Sequence, residues 1–143
     1  MVTIETPRSP RSRKAAKFER WGWLYMRVSG VFLLVLIFGH LIINLVMNGG
    51  ITQISFAFVA GKWADPFWKI WDGLMLWLAL IHGTNGMRTI VNDYTEREGL
   101  RKLLNYTLWI VCAALIILGT LVVTTFDPCI DSSVASTLSV CAN

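Results

Sequence analysis

Three long apolar runs, near residues 24–47, 67–91 and 104–126, dominate the pattern of this 143-residue chain. Each run is long enough to cross a hydrocarbon core of roughly 30 Å, which takes about 20 helical residues. Backbone groups in hydrocarbon must find their hydrogen bonds within the segment, so each run is predicted to be a helix. The pattern therefore predicts an all-α membrane protein with three transmembrane helices.

The segments between the runs carry their own signals. Residues 51–66 are too apolar for a freely solvated loop, and they predict a short helix that lies along the outer membrane interface. Gly49 and Gly50 are expected to end the first helix. Asp65-Pro66 is typical of a helix start, with Asp65 near the N-cap and Pro66 in the first turn. Asp127-Pro128 is expected to end the third helix.

Composition and charge support the membrane class and predict its orientation. The chain is 55% hydrophobic and 15% charged, with a mean hydropathy of +0.55. Lysine and arginine concentrate in residues 1–20 and in the 92–103 loop, whereas residues 127–143 contain neither. The positive-inside rule therefore predicts a plasma (inner) membrane protein with a cytoplasmic N-terminus and an outer C-terminal tail. No cleavable signal peptide is expected, because the first apolar run starts late and is long.

The basic N-terminal arm, residues 1–20, is expected to be poorly ordered and to lie on the membrane surface. We interpret its charge as a determinant of topology and of contact with anionic lipid, and not as a nucleic-acid site.

The three cysteines suggest no metal or iron–sulfur cluster, because no Cys-x-x-Cys pattern is present. Cys112 falls in the middle of a span and is interpreted as a buried apolar thiol. Cys129 and Cys141 fall in the outer tail, where an oxidising compartment would permit a disulfide. The sequence leaves both the bonded and the free state of these two cysteines open.

The stretch 82–94, HGTNGMRTIVNDY, holds most of the candidate chemistry. Its histidine, His82, lies inside an apolar run, where ionisable residues are costly and are functional candidates by default. Helical spacing puts four further residues on the face of His82: Asn85, Gly86, Thr89 and Asp93. An imidazole with a glycine one turn away suits axial ligation of a haem. The alternative, an interhelical hydrogen bond from a packed histidine, stays open.

A second histidine, His40, lies four residues before Asn44 on one helix face. Its estimated depth differs from that of His82 by about 7 Å, so we expect an interhelical hydrogen bond and not a shared haem. Lys69 and Asp72 lie three residues apart near the outer interface and are expected to form a local ion pair.

Other candidates lie near the cytoplasmic interface. Arg27 and Arg88 suit haem propionates or a quinone carbonyl, or else they reach lipid phosphate. Ser29 either belongs to such a pocket or serves helix packing. Asp93 and Tyr94 leave the second span where a phenol and an acid suit quinone chemistry, although a belt tyrosine beside a solvated acid is equally consistent.

The pattern His82-Gly83-x-x-Gly86-x-Arg88 followed by Asp93-Tyr94 resembles the second span of the small anchor subunits of succinate dehydrogenase (Complex II). The segment Arg27-Val28-Ser29-Gly30 is similar to the opening of their first span. The resemblance covers roughly residues 21–126 and is nearest to the D-type anchor, in what looks like an actinobacterial form.

This resemblance implies roles for the matching residues. His82 falls on the axial ligand of haem b, with a second ligand from the sister C-type anchor, and Arg27 falls near the haem propionates. Tyr94 and Asp93 fall on the quinone-site pair, the quinone being menaquinone by expectation. The implied partners are the C-type anchor and the soluble iron–sulfur and flavoprotein subunits that carry the clusters and FAD, with a trimer of complexes possible. His40 has no counterpart in this pattern, so the number of haems stays open.

Three hypotheses from different classes follow. The first is an electron-transfer anchor subunit that contributes to a haem and a quinone site but does not bind succinate. The second is a haem-free anchor or assembly subunit of another respiratory complex, in which His82 is merely packed. The third is a small transporter with His40, Asn44 and His82 along a polar path.

Overall fold

The computed structural model describes residues 10–47, 49–130, 132–136 and 141, and within them the chain is helical with no β-strand. The all-α prediction is thus confirmed for this part of the chain. Five α-helices follow in order: α1 Pro10–Leu41, α2 Phe56–Ala64, α3 Pro66–Tyr94, α4 Glu98–Thr125 and α5 Ser132–Ala135. A π-helical turn, Ile42–Met47, extends α1, and a 3₁₀ turn, Ile51–Gln53, precedes α2.

Helix α1 begins earlier than expected. Residues 10–20 were predicted to belong to a poorly ordered arm, but they form the first turns of α1. Pro10 is tolerated at the first turn of a helix, and the following residues are rich in Arg, Lys and Ala, which favour helix. The basic segment from Pro10 onward is therefore continuous with the first apolar run, while residues 1–9 lie outside the described residues.

The predicted helix ends are confirmed. Gly49 and Gly50 have positive φ values of 82° and 89°, a conformation that glycine adopts without strain. Asp65 caps α3, because its Oδ1 accepts a hydrogen bond of 2.9 Å from the backbone N–H of Phe67, with Pro66 in the first turn. Helix α4 ends at Thr125, just before Asp127-Pro128.

Helix α3 lies between the two other long helices and packs against both. Along α1, contacts between Met26 and Gly86, and between His40 and Asp72, show that α1 and α3 run antiparallel. Along α4, Trp77 donates to Thr120 over 3.0 Å, and the chain reversal at residues 95–97 makes this pair antiparallel as well.

Small residues permit these close approaches. A Cβ on Gly39 would lie 2.8 Å from Cζ2 of Trp71, and one on Gly119 would contact the side chain of Leu76. Helix association in a membrane depends on such packing and on interhelical hydrogen bonds, because lipid tails are as apolar as the side chains.

Helix α2 closes one end of the bundle, which we call the α2 end. The predicted short helix in the connection is confirmed, and its position along an interface stays a prediction. Its aromatic side chains contact the end of α4: the rings of Trp63 and Phe126 meet edge to face at 5.1 Å. Beyond α4, Cys129 and Cys141 form a disulfide, with Cα atoms 5.6 Å apart. Of the two states that the sequence left open, the structure therefore contains the disulfide. Cys112 is a free, buried thiol, as interpreted from the sequence.

Two of the described helical stretches, Arg20–Met47 and Glu98–Thr125, have the length and hydropathy to cross a membrane. Most of their large apolar side chains are exposed, as expected for surfaces that contact lipid or another membrane helix. Helix α3, with 29 residues, spans about 43 Å but is not one of these two stretches, since Lys69 and Asp72 in its first half and His82 and Arg88 in its second half interrupt its apolar run. Two of the three predicted spans are therefore supported, and α3 as a span stays a prediction.

Candidate cofactor site

His82 projects from α3 toward α1, where Ser29 is its polar partner. The Oγ of Ser29 lies 2.8 Å from Nδ1 of His82, and Ser29 is only 3% exposed. A hydrogen bond at Nδ1 fixes the orientation of the ring. The other ring nitrogen, Nε2, has no hydrogen-bond partner among the described residues. Ser29, predicted only as a possible site residue, is therefore the side chain that positions His82.

Glycines allow the two helices to approach each other at this level. A Cβ on Gly30 would lie 3.5 Å from Cε1 of His82, and one on Gly86 would lie 3.7 Å from Cε of Met26. Gly86, the glycine one turn from His82 that was expected to suit a haem, thus faces Met26 of α1. Gly30, on the facing helix, lies directly beside the imidazole ring of His82.

A groove of about 560 Å³ runs between α1 and α3 from this level toward the α3–α4 loop. Arg27 and Arg88 both line it, together with Asn85 and Thr89 from the face predicted to carry His82. The guanidinium of Arg27 lies 3.9 Å from the ring centroid of Trp23, a cation–π contact that holds the arginine against α1. Two cationic side chains from different helices therefore border one groove, which suits an anionic or carbonyl-bearing group.

Asp93 and Tyr94 lie at the last turn of α3, beyond this groove. Both are exposed, and Tyr94 is 82% exposed. By helical rise, Tyr94 lies about 18 Å from His82 along α3 and about 9 Å from Arg88. The structure therefore brings Arg27 and Arg88 together with Asn85 and Thr89 in one groove, and the lining of that groove includes neither His82 nor Tyr94.

A second polar cluster lies near the α2 end. Oδ1 of Asp72 accepts from Nδ1 of His40 over 3.0 Å, while its Oδ2 accepts from Nζ of Lys62 over 3.3 Å and from Nε1 of Trp63 over 2.9 Å. Nζ of Lys62 also donates to Oδ1 of Asn44 over 3.3 Å. The expected interhelical hydrogen bond of His40 is therefore present.

The predicted pair of Lys69 with Asp72 is wrong. Nζ of Lys69 donates to the backbone oxygen of Phe126 over 3.3 Å, at the unsatisfied carbonyl end of α4. Asp72 instead faces α1 and α2, where Lys62 offers a charge partner with a side chain only 9% exposed. The partners of Asp72 therefore come from other helices, because α1 and α3 pack antiparallel, and not from its neighbour three residues away.

The two histidines are well separated. His82 is level with Gly30 of α1, whereas His40 lies ten residues further along the same helix, or about 15 Å. This separation exceeds the depth difference estimated from the sequence, and it rules out one iron shared by both side chains.

Sequence reasoning missed Met26, Lys62 and Trp63 as contributors to the two clusters. Lys62 and Trp63 could have been found from the sequence, because a single lysine in the apolar connection 51–66 needs a partner for its charge. Met26 gave no signal beyond its position one turn before Ser29 and Gly30.

The fold and this site define a helical membrane protein that holds a histidine between two helices beside a groove lined by two arginines. Its chain belongs to the succinate dehydrogenase/fumarate reductase transmembrane subunit family, whose family model matches residues 3–122. No curated protein matches the sequence. Family membership confirms the resemblance noted in the sequence, makes the chain a membrane subunit of an oxidoreductase complex, and implies association with the other subunits of that complex.

Proposed function

We propose that this chain is the D-type anchor subunit of a succinate dehydrogenase, where it helps to bind haem b and forms part of the quinone-reduction site. The observation that carries the proposal is the 2.8 Å contact between Ser29 and His82. It leaves Nε2 of a membrane histidine without a hydrogen-bond partner among the described residues, beside a groove with two arginines.

The residues around His82 suit an axial ligand. Histidines that bind iron commonly have the other ring nitrogen engaged by a hydrogen bond, which fixes the ring and its tautomer. Nδ1–H of His82 would donate that bond to Oγ of Ser29, so that Nε2 would be the atom that holds the iron, with the second ligand coming from the sister C-type anchor. A bound haem would supply a one-electron redox centre within the membrane.

The two arginines suit the charged edge of such a group. Arg27 lies about 4.5 Å along α1 from the level of His82, and Arg88 lies about 9 Å from it along α3. Guanidinium groups pair with carboxylates in a planar, bidentate geometry. Arg27 and Arg88 would therefore hold propionates, or the polar head of a quinone, on the loop side of His82.

Tyr94 and Asp93 are proposed to complete the quinone site at the end of α3. The phenol of Tyr94 can donate a hydrogen bond to a quinone carbonyl, and the carboxyl of Asp93 can accept or deliver a proton from the aqueous side. Their exposure is consistent with a surface that another subunit covers. The quinone is proposed to be menaquinone.

The proposed topology has three transmembrane helices, with α3 as the second span, in the plasma membrane. The N-terminus and the 95–97 turn face the cytoplasm, and the α2 end faces outward, as the lysine and arginine distribution predicts. The basic inner surface would then meet the iron–sulfur and flavoprotein subunits, which carry the clusters and FAD, while the sister C-type anchor packs beside α1 and α3. A trimer of complexes is compatible with this arrangement.

Purification of the complex through a tag on this chain tests the proposal. The expected preparation contains iron–sulfur, flavoprotein and sister anchor subunits, shows a b-type haem by its pyridine haemochrome spectrum, and reduces a menaquinone analogue with succinate. A complex that transfers electrons but contains no haem would instead support a haem-free anchor. A chain that purifies without soluble redox subunits would contradict the proposal.

A further inference from the structure

A groove of about 350 Å³ lies between α3 and α4 near the α2 end. Its α3 wall extends from Lys69 to Trp77, and its α4 wall extends from Thr120 to Thr124. From Lys69 to Trp77 the helical rise is about 12 Å, whereas the hydrocarbon of one leaflet is about 15 Å thick. The groove is therefore long enough to follow one leaflet from its polar surface almost to the midplane.

Gly73 keeps the groove open on the α3 side. A Cβ at this position would meet no heavy atom within 4 Å, so no side chain of the described residues fills the space beside it. Ile70 and Trp77, on the same wall, are 63% and 47% exposed. The groove is thus uncovered along its α3 wall.

The walls below Lys69 suit an apolar occupant. Ile70, Leu76 and Val123 contribute aliphatic side chains to the lining. At the inner end, Nε1 of Trp77 donates to Oγ1 of Thr120 over 3.0 Å, so the indole N–H is already paired within the protein. The hydroxyl of Thr124 likewise donates to the backbone oxygen of Thr120 over 2.8 Å. A ligand in this part of the groove therefore needs no polar groups of its own.

Lys69 carries a positive charge at the α2 end of the groove. Its ammonium has three N–H donors, one of which donates to the backbone oxygen of Phe126 over 3.3 Å. Within the described ranges Lys69 forms no ion pair. The nearby carboxylates of Asp65 and Asp127 each accept from a backbone N–H instead. A cation with donors to spare thus borders the apolar groove.

We propose that this groove binds one acyl chain of a phospholipid from the leaflet at the α2 end, with the lipid phosphate on Lys69. Phosphate oxygens accept charge-assisted hydrogen bonds from an ammonium. The chain then packs along the aliphatic walls, where many small dispersion contacts add up. The order of a cation followed by an apolar groove matches the order of headgroup and chain in a phospholipid. The site requires α3 and α4 to lie in the membrane, and it does not depend on the proposed haem or quinone.

Native mass spectrometry of the purified complex, delipidated in detergent and titrated with phosphatidylglycerol, tests both contacts. We expect Lys69→Gln, which removes the charge, and Gly73→Leu, which fills the groove, each to weaken the binding of one lipid per anchor by at least about fivefold. Lys102→Gln and Gly99→Leu are matched controls at the opposite end of the bundle, where Lys102 is 66% exposed and a Cβ on Gly99 would meet nothing within 4 Å. Unchanged binding in Lys69→Gln or Gly73→Leu, or an equal loss in the controls, would overturn the proposal.

The position of the chain needs a separate measurement. Phosphatidylglycerol with a photoreactive diazirine in one acyl chain, added to the complex in detergent at one lipid per anchor, should label peptides that contain Gly73 or Val123. Gly73→Leu should lower this labelling, whereas Gly99→Leu should leave it unchanged. Label confined to other surfaces would overturn the proposal. Absence of label in the groove, as expected if a helix of the sister anchor or a quinone tail fills it, would overturn the proposal as well.

Discussion

Asp72→Asn should destabilise the bundle strongly, because it removes the charge that balances Lys62. The side chains of Asp72 and Lys62 are 11% and 9% exposed, so the lysine would be left as a nearly buried, unpaired cation. Breaking a buried ion pair from one side typically costs about 3–5 kcal/mol. The hydrogen bonds from His40 and Trp63 can persist in part, since an asparagine oxygen still accepts, so we expect a loss within this range and not above it.

Cys112 offers a local probe of this loss, because it is a free thiol and only 3% exposed. Its labelling by a thiol reagent during heating of the purified complex, read by mass spectrometry, reports the unfolding of the anchor. At about 2–4 °C per kcal/mol, the labelling midpoint should fall by about 6–20 °C. The double variant Asp72→Asn/Lys62→Met should recover most of this loss, since no unpaired charge remains.

A matched control comes from the surface pair of Glu98 and Lys102, which are 67% and 66% exposed and 2.7 Å apart. Glu98→Gln should change stability by less than about 0.5 kcal/mol. If Asp72→Asn lowered the midpoint no more than Glu98→Gln, or if Lys62→Met failed to restore it, the interpretation of the cluster as a buried ion pair would be refuted.

Three further predictions concern packing, the quinone site and topology. Gly39→Ala should cost about 1–3 kcal/mol in the same assay, because its Cβ would lie 2.8 Å from the rigid Trp71 ring, whereas Gly73→Ala, with nothing within 4 Å, should not destabilise. Tyr94→Phe should lower succinate-to-quinone turnover by about tenfold if about 1.4 kcal/mol of transition-state stabilisation is lost. Reduction of an artificial acceptor that takes electrons upstream of the quinone site should be unchanged. An equal fall in both assays would indicate a role in assembly. An impermeant thiol reagent should reach Cys129 and Cys141 from outside only after reduction, and should not reach a cysteine placed in 95–97; the reverse pattern would overturn the proposed orientation.

The positions of the three long helices could be predicted from the sequence because each helix contains one of the long apolar runs. Asp65-Pro66 predicted the start of α3 to the residue, since a side-chain acceptor followed by proline is a local signal that needs no tertiary context. The start of α1 was missed, because the basic residues that indicate membrane topology are also good helix formers. For residues 10–20, the high charge favours a poorly ordered arm, whereas the helix propensity of the same residues favours a helix, which is what the structure contains.

The candidate site was predictable in its residues but not in its contacts. His82 could be chosen because an imidazole in an apolar run is costly, yet its partner Ser29 lies 53 positions earlier and is reached only through the antiparallel register of α1 and α3. The same register brings His40 to Asp72, 32 positions apart, where spacing along one helix suggested Lys69 instead. Once one interhelical pair is known, the others follow by counting residues along the two helices.

The most direct test of the account is the reduced-minus-oxidised optical spectrum of the purified complex carrying His82→Ala, compared with His40→Ala. His82→Ala should abolish or shift the b-type haem band while the chain still assembles with its partner subunits, because the ring held by Ser29 is the proposed axial ligand. His40→Ala should leave the band intact, since His40 lies about 15 Å from the level of His82. An unchanged band in His82→Ala, or a band lost in His40→Ala alone, would contradict the assignment.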